Sequence, residues 1–262
     1  MAASPAAERS GRAPLPGWTT TAIVAGVVLI VWQIVGKTMF QETSSIPAPT
    51  DIIDAFRTEP DLYWRNLSAT LQAAGQGWVW GNALAIGLAF LVLVVPVVER
   101  PIIQLGVVSY CLPAVAIGPI FAIVFDGETP RVVLAALAVF FTTLVGALVG
   151  LRSADQTALD MVHAYGGGAV RKLTKVRLRA SLPSLFAGLR VAAPAAVLGA
   201  IIGEYSGADT GIGVAMIASQ QRLDGPATWT LAIAATIAAA AAYGVTALIG
   251  RLLTPWAPRH AL

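Results

Sequence analysis

Six long apolar stretches, separated by shorter polar segments, make up most of the chain. A helix needs roughly 20 mostly apolar residues to cross a bilayer, and the stretches approach or exceed that length. They cover Trp18–Val35, Leu67–Val98, Ile102–Phe125, Arg131–Leu151, Ser184–Gly203 and Ala227–Leu252. The pattern predicts an all-α polytopic membrane protein with about six transmembrane helices.

Local breaks in this pattern predict finer features. The first half of the second stretch, SATLQAAGQGW, is polar enough to lie against other helices or to extend beyond the lipid. Pro113 and Pro119 interrupt the third stretch and free backbone carbonyls that need other partners. Between the first two stretches, Pro49-Thr50-Asp51 predicts the start of a short amphipathic helix. The Gly-rich segment after the fifth stretch is compatible with a short half-inserted helix.

Composition supports the membrane assignment and excludes other classes. Only 12% of the 262 residues are charged and 56% are hydrophobic, whereas a soluble domain carries about 25% charged residues. The single cysteine, Cys111, excludes an internal disulfide, and His163 and His260 are too far apart in sequence to suggest a metal site. No run fits the phosphate-binding pattern G-x-x-x-x-G-K-[ST]. We therefore expect neither an enzyme nor an ATPase, and no cofactor bound by this chain.

The distribution of charge predicts the topology. Basic residues concentrate near both termini and in the segment 152–183, which holds Arg152, Arg171, Lys172, Lys175, Arg177 and Arg179. The segments on the other side are acidic on balance. The positive-inside rule then places both ends of the chain in the cytoplasm. We expect a disordered cytoplasmic N-terminus (1–17), a transmembrane domain (18–255) with a cytoplasmic loop (152–183), and a cytoplasmic tail (256–262).

Residues 160–183, DMVHAYGGGAVRKLTKVRLRASLP, combine small residues, a helical pattern and a closing Leu-Pro. A lipid-facing basic loop would explain the charges but not the glycines. The segment resembles the cytoplasmic "EAA loop" in the permease subunits of binding-protein-dependent ABC importers. Asp160 stands at the Glu position of that motif and Gly166 at its Gly, with Val176 and Leu178 at the later hydrophobic positions.

The segment also departs from the family pattern. Met161 and Val162 replace the Ala pair, and Arg179 replaces the first Pro, although a second Leu-Pro follows at Leu182-Pro183. The next residues, SLFAGLRVA and GAIIGEYSGADTGIG, are similar to the sulfonate, nitrate, taurine and thiamine-precursor branch. The resemblance extends from about Pro47 to Leu252.

The resemblance implies a type I importer permease that forms the path for a small solute. Its implied partners are ATP-binding subunits, a second permease chain (a copy of itself), an extracytoplasmic solute-binding protein and membrane lipid; ATP is used by the partner ATPase. The implied ATPase-coupling residues are Asp160, Ala164, Tyr165, Gly166, Gly167, Leu178, Leu182 and Pro183. Among these, Asp160 is expected near the start of a helix, where an acid suits the helix dipole.

Candidate residues for the translocation path are Glu204, Tyr110 and Pro113. An acid at membrane depth indicates function by default, but Glu204 at the outer interface, solvated or paired with Arg222, explains the sequence equally well. Arg190 is expected to extend its guanidinium to the cytoplasmic interface, with gating or pairing as the alternative. The three prolines Pro113, Pro119 and Pro194 either shape the path or only kink helices.

Two other functions stay open from the sequence. An ion-coupled secondary carrier would need ionisable residues at mid-membrane, and only Glu204 comes near. A non-transporting membrane scaffold would recruit a soluble partner through the same loop.

Overall fold

The structure, a computed structural model, describes residues 17–39 and 46–257. The expected disordered N-terminus falls outside these residues except for Gly17, and so does the predicted tail from residue 258 onward. The described residues form eleven α-helices. They are α1 Gly17–Thr38, α2 Pro49–Thr58, α3 Pro60–Val94, α4 Glu99–Cys111, α5 Ala114–Val124, α6 Thr129–Arg152, α7 Gln156–Ala164, α8 Ala169–Lys172, α9 Leu178–Glu204, α10 Ile212–Gln221 and α11 Gly225–Leu253.

The all-α polytopic prediction is confirmed. Five helical segments are long and apolar enough to cross a membrane, and a bent pair gives a sixth if it counts as one span. The second span begins at Pro60 and ends at Val94 rather than Val98. Its end has a local cause, because Pro96 has no backbone N–H to continue the helix and instead opens a short 3-10 turn, Pro96–Val98.

The third predicted stretch is not one straight span. Helix α4 ends at Cys111 and α5 starts at Ala114, and the two are bent by 99° across the break. Pro113 lies directly at this break, where its fixed φ and missing donor stop α4 from continuing. Pro119, by contrast, stays inside α5. Of the two prolines, Pro113 therefore redirects the chain.

The centre of the structure is the packing of α3, α6 and α9. A Cβ added to Gly77 or Gly81 of α3 would lie within 3 Å of backbone atoms in α6. On α9, Gly199 and Gly203 meet the backbone of α6 equally closely. Because no hydrophobic force joins helices within lipid, close backbone approach over small residues is the usual source of such packing. One face of the first half of α3, with Thr70, Ala73 and Ala74, is buried here, whereas Gln72 and Gln76 are exposed.

Helix α1 lies outside this core and contacts α2 and, through Trp32, Trp229 of α11. Most of its apolar side chains are exposed. Polar contacts join α1 and α2: Trp32 Nε1 donates to Pro47 O at 3.0 Å, and Lys37 Nζ lies 2.5 Å from Asp51 Oδ1. This hydrogen bond from Lys37 holds the pKa of the Asp51 carboxyl below its usual value. Among the apolar side chains of α2, Ile52 is buried whereas Ile53 and Phe56 are about half exposed.

The close contact of α3 with α6 predicts a sharp difference between two glycines on one helix. A Cβ at Gly77 would lie 2.3 Å from Ala135 Cβ and 2.8 Å from Val132 O, whereas no described atom lies within 4 Å of a Cβ at Gly75. Gly77→Ala should therefore lower the Tm of the detergent-solubilised chain, because overpacking typically reduces the free energy of unfolding by ~1–3 kcal/mol. Gly75→Ala is the control and should leave the Tm unchanged or slightly higher. Equal losses in both variants would contradict this packing.

Candidate functional site

Helix α7 lies in the segment 152–183 and begins earlier than predicted. The Asp155 side chain accepts hydrogen bonds from the backbone N–H groups of Thr157 and Ala158, at 3.4 and 3.3 Å. These groups have no partner within the helix, so Asp155 is its N-cap. Asp160 is the fifth of nine helical residues and exposed, so the expected position near the helix start is wrong. Its carboxylate instead accepts from Gln156 Nε2 at 3.1 Å.

The end of α7 depends on Gly166, which has a φ of +76°. The Gly166 N–H donates to His163 O and the Gly167 N–H to Val162 O, at 2.9 and 2.8 Å. This pair of bonds is a Schellman cap, whose left-handed residue is usually glycine. Gly167 is buried against Val162. The cap thus explains both glycines through backbone geometry.

The turn at Gly166 leaves apolar side chains exposed. Tyr165 is 84% exposed and Met161 61%. Ala164, at the end of α7, is also exposed, whereas Leu159 is buried. An exposed aromatic between small residues is a common anchor at protein interfaces. The tip of α7, defined here as Met161, Ala164, Tyr165 and Gly166, could therefore dock into a partner.

The basic run after this tip is helical and leads directly into the fifth span. It passes through α8, a π-helical turn Leu173–Arg177, and the first turns of α9. Helix α9 therefore starts at Leu178, about two turns before the predicted start at Ser184, and it includes Leu182 and Pro183. Ser153 Oγ donates to Ala180 O at 3.1 Å and joins the end of α6 to the start of α9.

At the opposite end of α9, Glu204 is 1% exposed and bonded within the chain. Its Oε1 accepts from Thr70 Oγ1 at 2.7 Å, and its Oε2 accepts from the Gly213 N–H at 2.8 Å. The nearest cation is Arg131, whose Nη1 lies 3.9 Å from Oε1. The expected pairing with Arg222 is therefore replaced by Arg131, and the solvated alternative is excluded by burial.

Arg131 lies in the first turn of α6, and its side chain is buried, with 7% of the residue exposed. Its Nη1 donates to Thr210 O at 2.8 Å, and its Nη2 pairs with Glu128. Gly203 makes this position possible, because a Cβ there would lie 2.4 Å from Arg131 Cα. The guanidinium therefore joins α6 to the segment between α9 and α10.

Side chains from α3 and α9 cap the start of α10. The N–H of Gly211 donates to Asn66 Oδ1 at 3.0 Å and that of Ile212 to Thr70 Oγ1 at 2.9 Å, while Gly213 donates to Glu204. Three successive N–H groups that lack helical partners are thus satisfied. Gly211 has a φ of +136°, and a Cβ there would lie 2.2 Å from Glu204 Cδ.

We call this set of side chains, Asn66, Thr70, Arg131 and Glu204, the polar cluster. Sequence reasoning found only Glu204. Arg131 had a detectable signal, since it follows Glu128 at helical spacing and begins an apolar stretch. Asn66 and Thr70 had little signal, because their partners are about 140 residues away in sequence. The cluster holds no group arranged for nucleophilic chemistry, and the described residues include no group of His, Cys, Asp or Glu that could hold a metal ion.

The other two path candidates lie at the break between α4 and α5. Tyr110 is 69% exposed, and its ring centroid is 5.1 Å from that of Phe141 in α6. Pro113 precedes the first residue of α5. The structure does not bring these residues together with Glu204, and their role in a path stays a prediction.

Arg190 lies deeper in the helix bundle than predicted. Neighbouring Gly188 packs against Thr142 and Gly146 of α6, ten and six residues before that helix ends at Arg152. At 1.5 Å per residue, this level is roughly 9–15 Å inside the end of α6. The expected extension to the interface is replaced by a contact with Tyr243 of α11, whose ring centroid is 5.9 Å from Arg190 Cζ. Arg190 is half-buried, and its Nε is buried without a hydrogen-bond partner among the described residues.

Comparison with known proteins gives one family. Residues 81–257 match the family described as binding-protein-dependent transport system inner membrane component. A probable ABC transporter permease protein of Haemophilus influenzae is 29% identical over 202 residues, which cover 77% of this chain and 82% of that protein. The formylaminopyrimidine transport permease protein ThiX of Halalkalibacterium halodurans is 27% identical over 234 residues, 88% and 92% of the two chains. Permeases of Escherichia coli named for taurine and aliphatic sulfonates are similar as well.

A solved structure supports the fold. The inward-facing MetNI methionine ABC transporter contains a chain that superimposes with a TM-score of 0.59 at 17% identity, covering 74% of this chain and 95% of that one. At this identity the likeness concerns the fold alone. The family match and the named relatives confirm the predicted resemblance to permease subunits of the sulfonate, nitrate, taurine and thiamine-precursor branch. The superposition confirms the predicted type I importer-like fold.

The polar cluster predicts that one hydroxyl stabilises two helices. Thr70→Val keeps the shape but leaves the Ile212 N–H and one Glu204 oxygen without their partner, and each unsatisfied buried group costs about 1–3 kcal/mol. We expect a lower Tm in detergent and faster proteolysis within residues 205–211. Thr70→Ser retains the hydroxyl and is the control, with a Tm near that of the wild type. If Thr70→Val unfolds with the wild type, the cluster does not hold α10.

Proposed function

Because the chain belongs to the family of binding-protein-dependent transport system inner membrane components, we propose that it is the permease subunit of an ATP-driven importer. It would form the path for a small solute and couple to a separate ATPase chain. The family and the apolar helices make it a multi-pass inner-membrane protein. The coupling surface, the partners and the solute proposed below go beyond the family match.

The observation that carries the coupling proposal is the exposed tip of α7. Tyr165 projects from a capped turn, with Met161 beside it, and both are exposed in a segment that lies outside the apolar spans. The Schellman cap at Gly166 fixes the direction of the turn without restricting access to it. This combination suits insertion into a cleft of an ATPase subunit.

The position of the tip suits transmission of force. It lies in the segment that joins α6 to α9, and those two helices pack closely along their length through glycines. A displacement of the tip would move α6 and α9 together, because a close-packed pair shifts as a body rather than deforming. The polar cluster would carry the same motion to α10 at the far end.

The remaining partners follow from this arrangement. ATP would be bound and hydrolysed by the partner chain, with no cofactor on this one. A second copy of the permease would complete the central path, and a solute-binding protein would dock on the side opposite the α7 tip. Basic residues of α8 and α9 would face the cytoplasm and anionic lipid, which places both chain ends inside.

The proposed solute is a small molecule such as a sulfonate, taurine, nitrate or a thiamine-type pyrimidine. The relatives are named for three of these kinds: aliphatic sulfonates, taurine and a formylaminopyrimidine. The alternatives of an ion-coupled carrier and a non-transporting scaffold gain no support. The carboxylate that a carrier would need, Glu204, is fully bonded within the chain.

Removal of the Tyr165 side chain tests the coupling surface. Tyr165→Ala should reduce the amount of ATPase that co-purifies with the permease by tenfold or more, because truncation of a central aromatic anchor costs ~2 kcal/mol or more. The chain should still insert and elute as the wild type, since the side chain is 84% exposed.

The matched control is Leu223→Ala. Leu223 is 88% exposed and lies between α10 and α11, on the side predicted to face away from the ATPase. It should leave ATPase recovery unchanged. Full recovery with Tyr165→Ala, or equal loss with Leu223→Ala, would argue against docking at the α7 tip.

A further inference from the structure

Arg190 is a half-buried cation within the bundle for which the described chain offers no anion. None of the ion pairs among residues 17–39 and 46–257 includes it. Its Nε has no hydrogen-bond partner there, and Tyr243 offers it a ring face rather than a charge. An unpaired charge in a low-dielectric interior is costly. A charged residue inside a membrane usually marks a pathway or a ligand.

The long described spans hold no free anion for Arg190. Acidic residues are absent from 62–98, 100–125, 129–154, 161–203 and 225–262. Glu204 is the one acid of the long spans beyond their first turns, and it is buried and bonded to Thr70 and Gly213. A second copy of the same chain would have the same sequence. It could therefore place no free carboxylate at the depth of Arg190.

A lipid headgroup is also a poor partner. The level of Arg190 is roughly 9–15 Å inside the end of α6, whereas the hydrocarbon core of a bilayer is ~30 Å thick. The phosphate of a lipid at the interface would have to leave the headgroup region to reach this level. A solute that crosses the membrane, by contrast, must pass the level of Arg190.

An apolar cleft lies along the same face of α9. Ala193 and Val197 follow Arg190 at helical spacing and line a cavity of about 370 Å³ between α3, α9 and α11. The other wall includes Trp78, whose buried Nε1 also lacks a partner among the described residues. An apolar cleft with few polar groups at its edge is the usual form of a small-molecule site.

We propose that Arg190 faces the translocation path and binds the anionic group of the transported solute, whose apolar part passes along the cleft of α3, α9 and α11. This inference rests on the proposed function and narrows it. Among the candidate solutes it selects those with a sulfonate or another anionic group. A neutral pyrimidine would leave the guanidinium unpaired.

The test measures whether the surroundings of Arg190 are open to water and attract anions. The native thiol is removed with Cys111→Ser, and Ala187→Cys places a thiol one turn before Arg190 on a half-buried position of α9. The full chain is reconstituted in phosphatidylcholine nanodiscs, which contain no anionic lipid. Two methanethiosulfonate reagents, one with a sulfonate and one with a trimethylammonium group, then react with the thiol.

With Arg190 present, the sulfonate reagent should react faster than the cationic one by roughly tenfold or more, because a nearby unpaired charge acts with opposite sign on the two reagents. Arg190→Gln should bring the ratio close to one, and Arg190→Lys should restore part of it. Arg179→Gln removes one charge from the exposed start of the same helix and should leave the ratio unchanged.

Other outcomes would overturn the inference. If neither reagent reacts, Arg190 faces a sealed interior. If the ratio persists in Arg190→Gln, or falls equally in Arg179→Gln, the selectivity does not come from Arg190. Recovery of the ATPase with Arg190→Gln is measured in parallel. Loss of the ATPase from the wild type would contradict the proposed function, whereas loss only from the variant would make Arg190 a structural residue.

Discussion

The close approach of α6 and α9 is the constraint on which the other features depend. Gly199 and Gly203 bring the two backbones to distances that a side chain would not allow, and Gly188 packs closely against Thr142 and Gly146. Without that approach, Arg131 could not lie beside α9, and Glu204 would be buried without a cation nearby. At the other end, the hydrogen bond from Ser153 to Ala180 requires the same short separation. One helix pair therefore determines the geometry of both the α7 tip and the polar cluster.

In the polar cluster, a buried carboxylate has a structural role, because hydrogen bonds within the chain satisfy it. Each oxygen of Glu204 has a donor from the same chain. One donor is the Thr70 hydroxyl of α3, and the other is the Gly213 N–H, which α10 leaves unpaired at its start. Two costs, a buried acid and an uncapped helix, offset one another. The same reasoning separates Glu204 from Arg190. The acid is satisfied by local structure, whereas the cation lies beside an apolar cleft with its Nε unpaired.

The sequence predicted the helices well because membrane spans are encoded locally, by length and hydropathy. It predicted the α7 tip from small residues and a motif, yet placed Asp160 wrongly, since the choice of Asp155 as N-cap depends on two hydrogen bonds rather than on charge. The break at Pro113 was visible as a proline, but its 99° angle was not, because a bend of that size depends on packing. Asn66 and Thr70 could not be found, since their partners lie far away along the chain.

The depth of Arg190 is another feature that depends on helix packing and could not be predicted from the sequence. In the sequence, Arg190 stands one to two turns into an apolar stretch that begins at Ser184, which predicts that a short reach takes its charge to the interface. In the structure α9 already runs from Leu178, and the level of Arg190 is set by the glycine contacts with α6. A helix start that moves by two turns changes the environment of a charged side chain from interface to interior. The energetic argument for an anion at this point therefore follows from helix packing, and composition alone would not support it.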